Sequence, residues 1–280
     1  MKSITSEEIQ NSAELTSAAK QWAKENIEYL NKPMRLFGSS TKVEKGSDKF
    51  NTYILYLQPA DKVAAETLCV FAEKAGCKKD CLISSGQLGM TTGQNAATKR
   101  TILLIARPSE FKKALLAEID KAELRAVREG IPALFRLNGT SDLDFSDVIR
   151  ARPNSLFYDY TKVISRIRKN TLPNYDLTFS GSMHSKQSKE SLKKAVGLNY
   201  RIAVAFNTKG IAADSLPLPA MKSFDETDLR HLDASNAIGY LKRKGSNKEE
   251  RAKLNKIKDS FFVTEANYKD FIKLINLDNR

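Results

Sequence analysis

The sequence predicts an α/β protein, a (β/α) barrel or partial barrel with a mostly parallel sheet and an N-terminal helix. Short apolar runs recur between residues 133 and 241, and each is followed by a polar segment. Strands joined by crossover segments pair in parallel, and several such strands make a sheet of barrel size. No glycine-rich dinucleotide fingerprint follows an early strand, which favours the barrel over the alternative, an open doubly wound sheet.

The N-terminal segment is predicted to be helical from Glu7 to Asn31, because apolar residues recur there at steps of three and four. Thr5 and Glu8 have the spacing of a capping box that would begin this helix. Residues 38–51 are polar and rich in Gly, Ser and Lys, which indicates a loop. We expect residues 1–50 to hold the helix and the loop, and residues 51–280 to form a single barrel-like domain.

Apolar runs further along the chain are candidate strands. They are Tyr53–Leu57, Ala133–Leu137, Ser155–Tyr158, Tyr175–Ser180, Tyr200–Phe206, Met221–Phe224 and Ala237–Leu241. Two helical patterns, Asn95–Ala106 and Phe111–Glu129, meet at Arg107-Pro108, where the proline should end the first helix. A closing helix is predicted at Ala266–Ile275.

The length of the chain and its apolar pattern limit the classes of protein to which it can belong. A chain of 280 residues buries a sizeable core without disulfides. No apolar run is long enough to cross a bilayer, and the N-terminus does not have the pattern of a secretion signal. The sequence therefore predicts a soluble, cytoplasmic protein with no membrane partner, and it leaves the oligomeric state open.

The formal net charge is +13, and the excess is concentrated between Lys242 and Lys258, where eight Lys or Arg stand against two Glu. A basic patch of this kind neutralises phosphates and releases counterions, so nucleic acid is the predicted partner. The alternative is an ordinary solvated surface. The candidate nucleic-acid-binding residues are Lys242, Arg243, Lys244, Lys248 and Arg251.

Three cysteines, Cys69, Cys77 and Cys81, follow the first predicted strand and are the only cysteines of the chain. In a reducing compartment a cluster of thiols is more typical of a metal site than of disulfides. A zinc site would take its fourth ligand from His184 or His231. Small buried thiols that pack as apolar groups are the remaining alternative.

Polar residues follow the predicted strands, and in a parallel barrel these positions lie on the functional face. The second strand is followed by Asn138, Gly139, Thr140 and Asp142, the third by Asp159, Tyr160 and Lys162, and Ser180 ends the fourth. Turn formation alone explains many such residues. The candidate catalytic residues are Asp142, Asp159, Tyr160 and Lys162, and Ser180 is a candidate cofactor contact.

An acidic cluster follows the sixth predicted strand and includes Asp225, Glu226, Asp228 and Asp233, with Arg230 and His231 between them. Grouped carboxylates can bind Mg²⁺ or act as general bases. An exposed loop with solvated charges is the more common structure for such a segment, and we expect it here.

Several segments resemble a bacteriophage family known as gene product 88. They are Cys77-Lys78-Lys79-Asp80-Cys81-Leu82, Ser85-Gly86, residues 136–142, 157–162 and 174–180, Asp228-Leu229-Arg230 and Gly239-Tyr240-Leu241-Lys242. The resemblance covers about two hundred residues and leaves out both ends. It implies a phage or prophage origin, with the host cytoplasm as location, and it carries no reaction with it.

A wider resemblance is to radical S-adenosylmethionine enzymes, which have three cysteines after the first barrel strand and a glycine-containing turn after the second. It implies a four-iron four-sulfur (4Fe-4S) cluster on Cys69, Cys77 and Cys81. It also implies that S-adenosylmethionine is bound by Asn138, Gly139 and Thr140. The leading hypothesis is therefore an iron-sulfur barrel protein acting on nucleic acid or a nucleotide, and the alternative is a non-enzymatic nucleic-acid-binding protein.

Overall fold

The computed structural model describes residues 3–38, 43, 48–78, 81, 83, 86–207, 221–244 and 248–275. Among these residues the strands form an eight-stranded sheet of order β1-β2-β3-β4-β5-β6-β8-β7. The strands are β1 Phe37–Gly38, β2 Asn51–Leu55, β3 Ala133–Arg136, β4 Leu156–Thr161, β5 Tyr175–Gly181, β6 Ile202–Phe206, β7 Met221–Ser223 and β8 Ile238–Lys242.

The sheet is mostly parallel. Strand β1 pairs antiparallel to β2, whereas β2 with β3, β3 with β4, β5 with β6, β6 with β8 and β7 with β8 pair in parallel. The predicted α/β class with a mostly parallel sheet is thus confirmed. No pairing that would close the sheet into a ring occurs among the described residues.

Helices occupy most of the connections between strands. They are α1 Ser6–Asn11, α2 Ser17–Glu25, α3 Ile27–Asn31, α4 Gly86–Gly89, α5 Thr91–Ala106, α6 Pro108–Glu129, α7 Ser146–Arg150, α8 Ile164–Lys169, α9 Lys186–Gly197, α10 Lys248–Asn255 and α11 Tyr268–Ile275. None of the helices in the described ranges is both long and apolar enough to cross a membrane.

The N-terminal helix is present but divided. The capping box of Thr5 and Glu8 forms as predicted and begins α1. The chain then leaves the helical conformation at Ser12, and Thr16 caps a new helix by accepting from the backbone N–H of Ala19. The second break is at Asn26, which ends α2, precedes α3 and donates from its side chain to the carbonyl of Trp22. Local side-chain bonds of Thr16 and Asn26 thus accompany the division of one predicted helix into three.

The chain divides into two compact units. The first comprises residues 1–70, 81–157 and 172–175, and the second comprises residues 71–80, 158–171 and 176–280. The earlier expectation of a single barrel-like domain over residues 51–280 stays a prediction.

The first unit packs α5 and α6 with strands β1, β2 and β3. Phe37, Tyr53, Phe135 and Phe157 form a chain of ring contacts with centroids 5.4–5.9 Å apart. This unit also contains a buried lysine. Lys99 is 1% exposed and donates to the carbonyls of Tyr29 and Lys32 at the end of α3. A cation at a helix C-terminus satisfies carbonyls that the helix itself leaves open.

The second unit contains the carboxyl-terminal part of β4, all but the first residue of β5, and strands β6, β7 and β8. Its core includes Phe179, Leu192, Val204 and Phe271, each with at most 2% of its surface exposed. Helix α9 begins with a capping box formed by Ser185 and Ser188. Strands β6, β7 and β8 of this unit pair in parallel, so their carboxyl ends lie at one edge of the sheet.

Candidate nucleic-acid interface

Basic residues follow two strands of the second unit at their carboxyl ends. Lys162 comes directly after β4, and Arg243 comes directly after β8, which pairs in parallel with β6. Open α/β sheets bind ligands outside the carboxyl ends of their parallel strands. We call the side chains of Lys162, Lys242, Arg243, Lys244, Lys248 and Arg251 the basic edge.

Asn207 follows β6 and forms hydrogen bonds with Arg243, Arg251 and Asn255. Its side chain is 1% exposed, and its Nδ2 donates to the carbonyl of Arg251 at 2.8 Å and to Oδ1 of Asn255 at 2.6 Å. Arg243 donates to Oδ1 of Asn207 at 3.3 Å. A buried amide with these partners fixes α10 against the ends of β6 and β8.

A pair of phenylalanines lies at the same place. The backbone N–H of Val263 donates to Ala205, and that of Asn207 donates to Val263, so this segment pairs in parallel with the end of β6. The pairing fixes Phe261 and Phe262, whose ring centroids are 5.1 Å apart.

Each phenylalanine holds one cation of the basic edge. Lys162 Nζ lies 5.2 Å from the ring centroid of Phe261, and Arg243 Cζ lies 5.2 Å from that of Phe262. The attraction between a cation and a ring face contributes roughly 0.5–1 kcal/mol at partly exposed sites. Two cations that are 81 positions apart in sequence therefore each contact one of two adjacent rings.

The outer members of the basic edge are open to solvent. Lys242, Lys244 and Lys248 are exposed, whereas Arg243 and Arg251 are half-buried. Positive charge on an exposed surface beside aromatic rings is the arrangement that single-stranded nucleic acid requires, because phosphates and base faces are contacted together. The assignment of Lys242, Arg243, Lys244, Lys248 and Arg251 to a nucleic-acid site stays a prediction, and all five belong to the second unit.

The predicted residues Lys162 and Ser180 meet in the structure. Both line a small cleft of the second unit. Tyr160 lies elsewhere, because its hydroxyl donates to Asp228 at 3.2 Å, and Asp159 is buried in β4 with 1% of its surface exposed.

The acidic segment after β7 is largely buried, so the expectation of an exposed loop is wrong for its central residues. Asp228 is 6% exposed and Arg230 is 2% exposed, and the side chain of Asp233 is 5% exposed. The hydroxyl of Tyr158 donates to Asp228 at 2.9 Å. Burial is tolerated because these charges are paired and hydrogen-bonded.

Arg230 lies on an aromatic ring and next to a carboxylate. Its guanidinium carbon is 3.9 Å from the ring centroid of Phe224, its Nη1 is 3.1 Å from Oδ2 of Asp233, and its Nη2 donates to the carbonyl of Thr227 at 2.6 Å. Lys222 also pairs with Asp233 at 2.8 Å. Asp233 is therefore held between two cations.

His231 lies beside this ion-pair network, with its ring centroid 6.3 Å from that of Tyr158. Burial lowers the pKa of the His231 imidazole below its ordinary value. Asp176 and Asp233 act in the opposite direction, and Arg201 lowers the pKa further. Arg201 itself pairs with Asp176 at the start of β5 and donates to the carbonyl of Asp233, at the amino ends of the strands. The network is thus positioned to stabilise the unit.

The turn after β3 belongs to the first unit and uses its polar groups internally. Asn138 accepts from the hydroxyl of Ser141 and from the backbone N–H of Leu143, each at 2.8 Å. The hydroxyl of Thr140 donates to the carbonyl of Leu57 at 2.6 Å. The backbone N–H of Asp142 donates to Leu68, and Asp142 is 7% exposed.

Gly139 is needed where this turn meets the end of β2. A Cβ at this position would lie 2.6 Å from Cγ2 of Ile54 and 2.8 Å from the carbonyl oxygen of Leu55. These are contacts of a turn that packs closely on a strand. They give no support to the prediction that Asn138, Gly139 and Thr140 bind a cofactor, which stays a prediction.

The cysteines are half-buried thiols in the structure. Cys69 Sγ lies 3.6 Å from the carbonyl oxygen of Thr140, and Cys77 Sγ lies 3.7 Å from that of Ala72, both within hydrogen-bond range for sulfur. The described residues contain no group of three or more His, Cys, Asp or Glu side chains that could hold a metal ion. The iron-sulfur assignment of Cys69, Cys77 and Cys81 stays a prediction, and we derive no chemistry through a cluster. Five residues near them, Lys79, Asp80, Leu82, Ser84 and Ser85, lie outside the described ranges.

Sequence reasoning did not identify Phe261 and Phe262 as the residues that contact Lys162 and Arg243. The signal was available, because two adjacent aromatic residues follow the basic segment directly. Asn207 could not be found in this way, because its role depends on contacts with residues more than forty positions away.

Comparison with known proteins gives one match. A family model described as Gene product 88 matches residues 11–258. No curated protein and no solved structure matches the chain.

Proposed function

This chain belongs to the Gene product 88 family of bacteriophage proteins, and we propose that it binds nucleic acid through the basic edge of its second unit. The single observation that supports the proposal best is the pairing of Lys162 and Arg243 with the adjacent rings of Phe261 and Phe262. Lys162 follows β4 and Arg243 follows β8, so both positive charges lie at carboxyl ends of strands, where parallel sheets bind ligands.

The composition of the edge favours a polyanion over a small acidic ligand. Lys242, Lys244 and Lys248 extend the positive charge outward from the rings, and all three are exposed. Each lysine can neutralise one phosphate and release its counterion, and a set of such contacts yields binding that falls steeply with salt. The half-buried ring of Phe261 offers a face on which a base can stack.

Asn207 has a positioning role in this proposal. It holds the carbonyl of Arg251 and the side chain of Asn255, and so fixes the helix that carries Lys248. The charges of the edge are thereby held in one arrangement before any ligand binds, which reduces the entropy cost of binding.

The experiment is a salt titration of binding to short single-stranded DNA, double-stranded DNA and RNA. The wild-type protein is compared with a triple variant, Lys242→Gln, Lys244→Gln and Lys248→Gln. We expect the variant to bind at least about tenfold more weakly at about 100 mM salt. The slope of log K against log salt should fall by about 2 to 3, one for each lost phosphate contact.

The matched control removes the same charge from the first unit, through Lys24→Gln, Lys113→Gln and Lys121→Gln. These three lysines are exposed as well. If the control loses as much affinity as the test variant, the effect is one of net charge and the basic edge is not the interface. A wild-type protein that binds none of the three nucleic acids at about 50 mM salt would refute the proposal.

A further inference from the structure

Helices α8 and α9 of the second unit pack against each other and share one apolar cluster. Ile164 and Ile167 of α8 contact this cluster, and α9 contributes Leu192 and Ala195 to it. Because these faces are turned to the core, the opposite faces of both helices are left for solvent. The exposed cations on the two helices are Arg168, Lys169, Lys186, Lys193 and Lys194, which we call the α8–α9 surface.

The charge of the two helices is strongly positive. Together they contain seven Lys or Arg and one carboxylate, that of Glu190. Lys189 is neutralised, because its Nζ lies 2.7 Å from Oδ1 of Asp259. None of the five cations of the α8–α9 surface forms an ion pair with another residue that the structure describes. The surface therefore has positive charge available for a ligand.

Helix stability accounts for only part of this charge. Arg168 and Lys169 lie in the last turn of α8, where a cation is favourable because it faces the negative end of the helix dipole. Lys186 lies in the first turn of α9, at the positive end of the dipole, and no acidic residue accompanies it in that turn. The charge of Lys186 thus opposes the stability of its own helix, which favours a role outside the helix.

The α8–α9 surface adjoins the basic edge through the segment that carries Phe261. Lys162, whose ammonium contacts the Phe261 ring, lies two positions before α8 begins. Asp259, two positions before Phe261, pairs with Lys189 near the start of α9, and its carbonyl oxygen lies 3.1 Å from Nδ1 of His184. These contacts attach the starts of both helices to one side of the basic edge.

We propose that the phosphate backbone of the nucleic acid bound at the basic edge continues across the α8–α9 surface. The inference rests on the proposed function for its ligand, and it adds the length of that ligand. Lys186 and Lys194 are separated by about 12 Å along the axis of α9, because each helical residue rises about 1.5 Å. Successive phosphates of one B-form strand follow at about 3.4 Å along the duplex axis, so the surface has room for about three phosphates. The complete site therefore takes a longer nucleic acid than the basic edge alone.

The test compares two oligothymidylates, one of about 6 nucleotides that fills the basic edge and one of about 20 that reaches both surfaces. The full-length wild-type protein is compared with the triple variant Arg168→Gln, Lys193→Gln and Lys194→Gln. We expect the variant to bind the long oligonucleotide at least about tenfold more weakly at about 100 mM salt. The slope of log K against log salt should fall by about 2, because each phosphate of a single strand contributes about 0.7. Binding of the short oligonucleotide should not change.

The control for this variant is the triple variant of the first unit, Lys24→Gln, Lys113→Gln and Lys121→Gln, which removes the same charge. An equal loss of affinity in the control overturns the inference, because the effect then follows net charge. A loss that is the same for both lengths of oligonucleotide overturns it as well, because the surface then does not act as an extension of the site.

The basic-edge variant Lys242→Gln, Lys244→Gln and Lys248→Gln separates this inference from the proposed function. If only the basic-edge variant loses affinity for the long oligonucleotide, the proposed function stands and the inference is overturned. If only the α8–α9 variant loses affinity, the proposed function is refuted and the α8–α9 surface remains as the contact. A wild-type protein that binds neither oligonucleotide at about 50 mM salt refutes both.

Discussion

The hydroxyl of Tyr158 donates to the carboxylate of Asp228 at 2.9 Å, and both residues are buried. Tyr158 lies in β4, and Asp228 lies seventy positions later in the segment after β7. The bond therefore fixes that segment to the sheet of the second unit. Tyr160 adds a weaker bond of 3.2 Å to the other carboxylate oxygen.

We expect Tyr158→Phe to destabilise the protein by about 2 kcal/mol, because a buried carboxylate loses a donor. At this chain length such a loss lowers Tm by about 4 to 8 °C. Tyr160→Phe should cost less, since its bond is longer and Tyr160 is only half-buried. The measurement is thermal unfolding followed by circular dichroism.

Tyr268→Phe is the matched control for both tyrosine variants. The Tyr268 hydroxyl is buried and has no hydrogen-bond partner among the described residues. Removing an unsatisfied hydroxyl is neutral or stabilising. If Tyr158→Phe is as neutral as Tyr268→Phe, the bond to Asp228 does not contribute to stability.

Gly239 of β8 provides a second test of this part of the fold. A Cβ at this position would lie 2.2 Å from Cγ of Phe224, whose side chain is fully buried and also contacts Arg230. We expect Gly239→Ala to destabilise the protein by about 1 to 3 kcal/mol through overpacking, measured by urea unfolding. Gly197→Ala is the control, because a Cβ there meets no atom within 4 Å. An effect no larger than that of the control would mean that Phe224 moves aside at no cost.

His231 should make stability depend on pH. Its pKa is lowered in the folded protein, so the unfolded chain binds more protons between the folded value and the ordinary value of 6.5. Stability is then fully present above the ordinary value and falls as the pH is lowered through it, until the folded pKa is reached.

We expect the Tm of the wild-type protein to fall more between about pH 7.5 and about pH 5.5 than that of His231→Gln, because the variant lacks the imidazole whose pKa is lowered on folding. His184→Gln serves as the reference, since His184 is the other histidine of the chain. The two histidine variants should differ in slope. Parallel curves for wild type and His231→Gln would contradict a contribution of His231 to acid sensitivity.

Most strands could be predicted, because each coincides with a short apolar run that is visible in the local sequence. The runs at Tyr175 and Tyr200 end within one residue of β5 and β6. Strand β6 is a continuous apolar run, as expected for a parallel strand buried on both faces, whereas β5 alternates apolar and polar residues. Strand β1 was missed, because two residues such as Phe37 and Gly38 carry no periodic pattern. The bounds of β4 were too short at the carboxyl end, because Asp159 and Tyr160 look like residues of a loop.

The basic residues of the candidate site could be predicted as well, because their charge is also a local property of the sequence. Charge on Lys242 and Lys244 can be counted in the sequence, and these residues are exposed as surface charges usually are. The burial of Asp228 could not be predicted, because it depends on a tyrosine seventy positions earlier. Nor does the sequence reveal that Lys162 and Arg243 lie beside adjacent rings, since only the sheet order brings them together.

The three cysteines give the last prediction, because the iron-sulfur hypothesis requires a direct observation. Anaerobic reconstitution with iron and sulfide should yield bound iron in the wild-type protein and none in the double variant Cys77→Ala, Cys81→Ala. The readout is elemental analysis of freshly purified and reconstituted protein, together with the visible absorption spectrum. Zinc in place of iron would favour a site that includes a histidine. Absence of both metals after reconstitution would refute the hypothesis. It would leave Cys69 and Cys77 as thiols bonded to the carbonyls of Thr140 and Ala72, the state in which the structure places them.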